Sequence, residues 1–157
     1  MLFETEDDRK WHLHCLSQVF KQTGTIYPTL FTEFDGKRMA VPLEMDTVEQ
    51  KNETSNMIKT AIVNGLIKDL CFAAESWISR QATDHAQLDL PVRHMPDKKE
   101  CVIATFANPK EEVVYCAMIR RDKEGKPTLL PFEKWENCVS TSGRFVGMFR
   151  SAAAILN

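Results

Sequence analysis

The sequence predicts an α+β domain: a mainly antiparallel sheet of five to six strands with helices packed on one face. Three observations carry that expectation. Three stretches repeat apolar residues at helical spacing, several short stretches alternate or run apolar as strands do, and most strands are joined by turns too short for a parallel crossover. At 157 residues the chain has the size of one domain, and with 43% hydrophobic residues it can close a core without metal or disulfide.

Taking the elements in order, Trp11, Cys15, Leu16, Val19 and Phe20 fall on one stripe of a helix between Asp8 and Gln22. Acidic residues precede it and Gly24 follows, as the helix dipole and a left-handed C-cap favour. Tyr27 to Phe34 and Lys37 to Leu43 flank Asp35-Gly36, the dipeptide that most readily takes the two positive φ values of a type I′ hairpin turn. Asp46 or Thr47 can cap a second helix, with Thr54, Ile58, Ala61, Ile62 and Gly65 on its inward face up to about Lys68. A third strand follows at 70–79. Arg80 to Lys99 shows no period, contains Pro91 and Pro96, and reads as a long loop. Cys101 to Ala107, Val113 to Arg121 and Thr128 to Glu133 then form a meander, turned by Asn108-Pro109-Lys110 and by Asp122 to Lys126. A last helix starts at Ser140-Thr141-Ser142-Gly143 and carries Phe145, Met148, Phe149, Ala152 and Leu156 at helical spacing.

A formal net charge of -2 creates no global field for nucleic acid or an anionic membrane, so neither is an expected partner. No apolar run approaches the roughly 20 residues that span a bilayer. The start, Met-Leu-Phe-Glu-Thr-Glu-Asp-Asp, is acidic where a secretion signal is basic. Five dispersed cysteines, Cys15, Cys71, Cys101, Cys116 and Cys138, suit a reducing compartment. A cytoplasmic location is the resulting expectation.

The residue that asks for explanation is Glu75, in the apolar strand Ala73-Ala74-Glu75-Ser76-Trp77-Ile78. Alternation puts Cys71, Ala73, Glu75 and Trp77 on one face and Leu70, Phe72, Ala74, Ser76 and Ile78 on the other. The second set is the more apolar and is expected to face the helices, leaving Glu75 on the solvent side against an arginine. The competing reading makes Glu75 and Glu100 metal-binding or acid–base carboxylates of a nuclease or hydrolase, with Glu33, Asp35 and Asp97 at other strand ends and Lys98 and Lys99 close by. The spacing of Pro96-Asp97-Lys98-Lys99-Glu100 is not that of restriction-type nucleases.

Other chemistries lack their parts. His12 and His14 lie about 200° apart on a helix and cannot clasp one ion with Cys15, while His85 and His94 have no further soft ligand beside them. No G-x-S-x-G, phosphate-cradling glycine loop or dinucleotide fingerprint occurs, and no metal or cofactor is expected. Cys101 and Cys116 sit within strands, where burial makes thiols inert. Ser142, Gly143 and Arg144, at a helix start, have the composition of an anion site as well as of an ordinary cap. Arg120, Arg121, Lys123 and Lys126 interleave with Asp122 and Glu124 in a mixed, solvated turn.

Glu75-Ser76-Trp77, Pro96 to Glu100, Ile119-Arg120-Arg121 and Gly143-Arg144-Phe145 together resemble the landmarks of a set of small bacterial and phage proteins of unknown function. Those proteins share a Ser-Glu-Ala-Trp-like strand, a Pro-Asp-Arg-x-Glu loop, an Ile-x-Arg strand end and a C-terminal Gly-Arg. The resemblance covers the second half of the chain, with Ser76 where alanine is usual, and implies that Glu75, Trp77, Asp97, Glu100, Arg121, Gly143 and Arg144 matter. It implies no activity. The expectation is therefore a non-enzymatic accessory or protein-interaction protein, encoded by a phage or mobile element, working through the loop and an exposed sheet edge. The alternatives are a metal-dependent hydrolase at Glu75 and Glu100 and an anion binder at Arg144. The expected partner is a protein, and the uncovered sheet edge leaves a homodimer open.

Overall fold

The computed structural model describes residues 1–78, 99–135 and Phe149. Among the described residues, two helices and seven strands follow in the order α1 (Glu6–Thr23), β1 (Thr29–Phe34), β2 (Lys37–Pro42), α2 (Val48–Val63), β3 (Ile67–Ile78), β4 (Lys99–Ala107), β5 (Glu112–Arg121), β6 (Pro127–Leu129) and β7 (Glu133–Trp135). The strands make one antiparallel sheet in the order β2-β1-β3-β4-β5-β6, with β7 also paired to β5. This is the α+β class and the antiparallel sheet that the sequence predicts. The expected strand 128–133 is instead two short pieces, β6 and β7, laid in series along the outer edge of β5.

Local chemistry accounts for the element ends. Thr5 and Asp8 form a capping box at the start of α1, and Thr47 and Gln50 form one at the start of α2. Gly24 closes α1 in the left-handed conformation, with φ 75° and its N–H bonded to the Phe20 carbonyl. Asp35 and Gly36 take φ 50° and 77°, the two positive values that a type I′ turn requires. The second helix stops at Asn64-Gly65, a turn earlier than Lys68.

The helices do not share a face. On one side of the sheet Leu13, Leu16 and Phe20 of α1 pack with Phe3 on Cys71, Ala73, Val102, Ala104 and Phe106. On the other side Ile58 of α2 packs with Leu30, Leu43, Ile67, Leu70 and Ala107, where Phe149 is also buried. The arrangement corrects the expectation of a one-sided sheet. It follows from β3, whose odd and even residues are both apolar in the middle of the strand, so both faces need cover. The stripe on α1 is shifted as well. Trp11 and Val19, expected to point inward, are exposed, while Arg9 and Leu13 are buried.

An irregularity sets the phase. Thr32 pairs with Leu70 but Phe34 pairs with Ile67, so β3 carries one extra residue there. The bulge turns Asp69 beneath the N-terminal segment, and the Thr32 hydroxyl caps the Asp69 carbonyl at 2.7 Å. The Asp69 carboxylate accepts the Phe3 N–H at 2.7 Å. Buried Arg9 donates to the Phe3 carbonyl and, at 2.9 Å, to Glu111 in the β4–β5 connection. Phe3 is thus held by its backbone on both sides while its ring meets Phe106 edge-on at 5.2 Å.

No described helix is long and apolar enough to cross a membrane. The loop expected at 80–99 lies outside the described residues except Lys99, which opens β4, and so does the expected last helix except Phe149.

Truncating Phe3 removes a ring from the α1 cluster. Phe3→Ala is expected to cost about 3–5 kcal/mol in urea unfolding monitored by circular dichroism, a loss that would be absent if the N-terminal segment were an ornament.

Candidate functional site

The register of the central strands gathers four of the residues singled out in the sequence. Glu75 lies opposite Val102, and Trp77 lies opposite Glu100. Ile119 packs into the α1 cluster, so Arg121, two residues on, projects from the same face. The chain rises from Gly24 and leaves this end of the face open. Glu75 is therefore on a helix-covered face, contrary to the solvent-side expectation, but beyond the end of the helix, and it is exposed. Trp77 beside it is also exposed.

Charge within this cluster is matched internally. The Arg121 guanidinium grips Glu100 through both carboxylate oxygens, Nε to Oε2 at 2.6 Å and Nη2 to Oε1 at 3.0 Å, and its third nitrogen donates to the Gly125 carbonyl at 3.0 Å. The fork-to-carboxylate match raises the Arg121 pKa, first through the hydrogen bonds to Glu100 and further through the negative charges of Glu100 and Glu75. Glu75 accepts a long bond from the Ile26 N–H at 3.4 Å. A guanidinium already gripping Glu100, with Glu75 in its field, opposes a divalent cation there. Among the described residues no three His, Cys, Asp or Glu side chains gather as metal ligands. Asp97, Ser142, Gly143 and Arg144 lie outside the described residues, as do Lys98, His85 and His94.

A second feature went unseen in the sequence. Between α1 and the β1–β2 hairpin runs a groove of about 460 Å³, lined by Trp11, His12, Cys15, Phe31, Arg38 and Met39 among others. Trp11 is 68% exposed, so a large apolar side chain stands open at its rim. The His14 ring stacks on Trp11 at 5.5 Å and steadies it. Asp8 and Arg38, of opposite charge, also line the groove, and the Asp8 carboxyl is held below its usual range, mainly by its hydrogen bonds with Thr5 and to a lesser degree by Arg38. The outward turn of Trp11 is the signal that sequence reading misassigned: Arg9 took the inward position at that end of α1 because Glu111 and the Phe3 carbonyl receive it.

His12 forms the floor. Its ring lies 4.4 Å from Phe31, 4.9 Å from Phe3 and 5.9 Å from Phe106, and its buried Nε2 has no hydrogen-bond partner. Burial alone pushes its pKa from 6.5 down to about 4. Cys71, deep in the same cluster, has its thiol pKa raised by burial, and that of Cys101 is raised by its hydrogen bond with Cys116 and by burial. The thiols of Cys71 and Cys101 are protonated at neutral pH, whereas that of Cys116 is held below its usual value, first by its hydrogen bond with Cys101, so burial does not raise it as the sequence reading expects.

Comparison with known protein families, curated proteins and solved structures finds no match to this chain. Its function is therefore argued from the two surfaces just described.

Two outcomes follow. Arg121→Gln should leave the denaturation midpoint close to wild type, because the Glu100 pair is exposed to water; a core-sized loss would mean that the pair holds the sheet together. His12 is neutral in folded and unfolded chains above pH 6.5. Between 6.5 and about 4 the unfolded chain binds a proton that the fold refuses, so stability should fall with acid and the loss be complete below about pH 4. Urea midpoints against pH, with His12→Phe flattening this part of the curve, check the assignment.

Proposed function

We propose that this chain is a non-enzymatic interaction or accessory protein that binds a segment of another polypeptide in the groove between α1 and the β1–β2 hairpin. The observation that supports this reading is the exposure of Trp11 over a preformed groove whose floor is aromatic and whose far wall carries Arg38 and Ala40 of β2. Tryptophan is enriched at interface hot spots, and a rigid indole over an aromatic floor suits an incoming apolar side chain. Asp8 and Arg38 offer one charge of each sign to the flanks of such a segment. The partner fitted to this surface is a peptide with one large apolar residue between polar or charged neighbours.

The grip of Arg121 on Glu100, in the field of Glu75, supports the same side of the question, because it sets a positive charge against the carboxylate that a hydrolase would use to hold its metal. The Arg121 cluster then serves as a rim feature of the open end of the sheet. Its carboxylates remain the residues on which the hydrolase alternative is tested.

Peptides selected on the immobilised protein from a random library should carry a large apolar anchor. Trp11→Ala should weaken them by about thirtyfold or more without moving the denaturation midpoint, and Glu75→Gln should leave binding unchanged. A saturable calorimetric response to Mg²⁺ or Mn²⁺, lost in Glu100→Gln, with no peptide selected, would replace the proposal by the hydrolase reading.

A further inference from the structure

The edge of β2 is the natural place to look for a partner that the groove does not explain. Its phase follows from the hairpin. A two-residue type I′ turn makes Phe34 and Lys37 a hydrogen-bonded pair, and alternation along the register makes Thr32–Met39 and Leu30–Val41 the next ones. The bond from the Leu43 N–H to the Pro28 carbonyl, at 2.8 Å, continues the same phase. Lys37, Met39 and Val41 therefore turn their backbone groups inward to β1, and Arg38, Ala40 and Pro42 turn theirs outward. Proline stands where its missing N–H takes nothing from the ladder. Along β2 every residue is exposed except the half-buried Val41, and in the sheet order it is bonded to β1 alone.

We propose that this edge pairs with β2 of a second copy of the chain, antiparallel about a two-fold axis through Met39, so that two sheets become one. This goes beyond the groove reading: it uses the outward backbone groups of β2, whose residues Arg38, Met39 and Ala40 also line the groove. In that register Arg38 and Ala40 each exchange both backbone bonds with Ala40 and Arg38 of the partner, and Pro42 is asked only to accept. The two Met39 residues face each other as a non-hydrogen-bonded pair, where side chains come closest. Lys37 meets Val41 and Arg38 meets Ala40, so no like charges stand directly opposite. The neighbouring registers are worse. Moving the centre to Arg38 sets Arg38 against its own copy, and moving it to Ala40 pairs Arg38 with Pro42 and leaves the Arg38 carbonyl without a donor. The charge of Arg38 is answered within each copy by Glu33, opposite it on β1, and by Asp8 on α1. At the other side of the sheet β6 and β7 cover β5, so this edge is the longest one open among the described strands.

Sedimentation velocity and a cross-link test the pairing. The wild-type chain should sediment as a reversible dimer at about 100 µM, well within the range of specific association. Ala40→Pro removes an outward N–H and none that β1 uses, so it should keep the circular dichroism spectrum and weaken the dimer by about thirtyfold for the two bonds lost. Should that variant fail to fold, Met39→Lys places two ammonium groups face to face on the axis and should act alike. Met39→Cys, oxidised with copper phenanthroline, should give a covalent dimer that a reducing agent dissolves, and neither the parent chain nor Lys37→Cys should do so. A monomer at that concentration, or a dimer indifferent to Ala40→Pro and Met39→Lys, would overturn the pairing. A monomer that still takes the selected peptides would leave the groove reading standing, and a dimer that takes none would sink only that reading.

Discussion

The fold is governed by the alternation of β3 at the centre of the sheet. A twelve-residue strand buried in its middle on both faces cannot be served by one helical layer, so α1 and α2 are divided between the two sides. The bulge opposite Thr32 and Phe34 then sets which residue goes where: it lets Ile67 and Leu70, three residues apart, both reach the α2 side while Asp69 turns under Phe3. Without that extra residue the N-terminal segment would lose its carboxylate acceptor, and Arg9 would lose the carbonyl that helps draw it inside.

The same alternation fixes the two exposed surfaces. At one end of the α1 face the helix stops at Gly24, and the row Glu75, Trp77, Glu100 and Arg121 emerges past it. At the side, α1 turns Arg9 rather than Trp11 inward, and the indole is left standing over a groove against the hairpin. A carboxylate among apolar neighbours is thus explained by geometry: Glu75 shares a face with the core but sits outside the helix's shadow, in the field of Arg121.

Two carboxylates and a guanidinium near an exposed tryptophan could suggest chemistry from composition alone. The distances show a tie between strands. A bidentate grip on Glu100 holds Arg121 across two strands and ties it to the β5–β6 turn through Gly125. The groove between α1 and the hairpin is lined by aromatic residues, with Asp8 and Arg38 of opposite charge beside it.

Local sequence determined the parts of this protein whose causes are local. The Asp35-Gly36 hairpin, the Gly24 cap, the Thr47 cap, the strands on either side of Asn108 and the antiparallel α+β class were all legible, because turn conformations, caps and short connections depend on neighbouring residues. The division of helices between faces, the rotation of α1 that buries Arg9 and exposes Trp11, the bulge at Asp69 and the meeting of Arg121 with Glu100 were decided only in three dimensions. Each depends on partners far away in the chain, such as Glu111 for Arg9 and Phe3 for Asp69. A helical stripe read from spacing alone assumes that charge stays outside, and that assumption fails where a distant carboxylate and a free carbonyl make a buried guanidinium the better-satisfied choice.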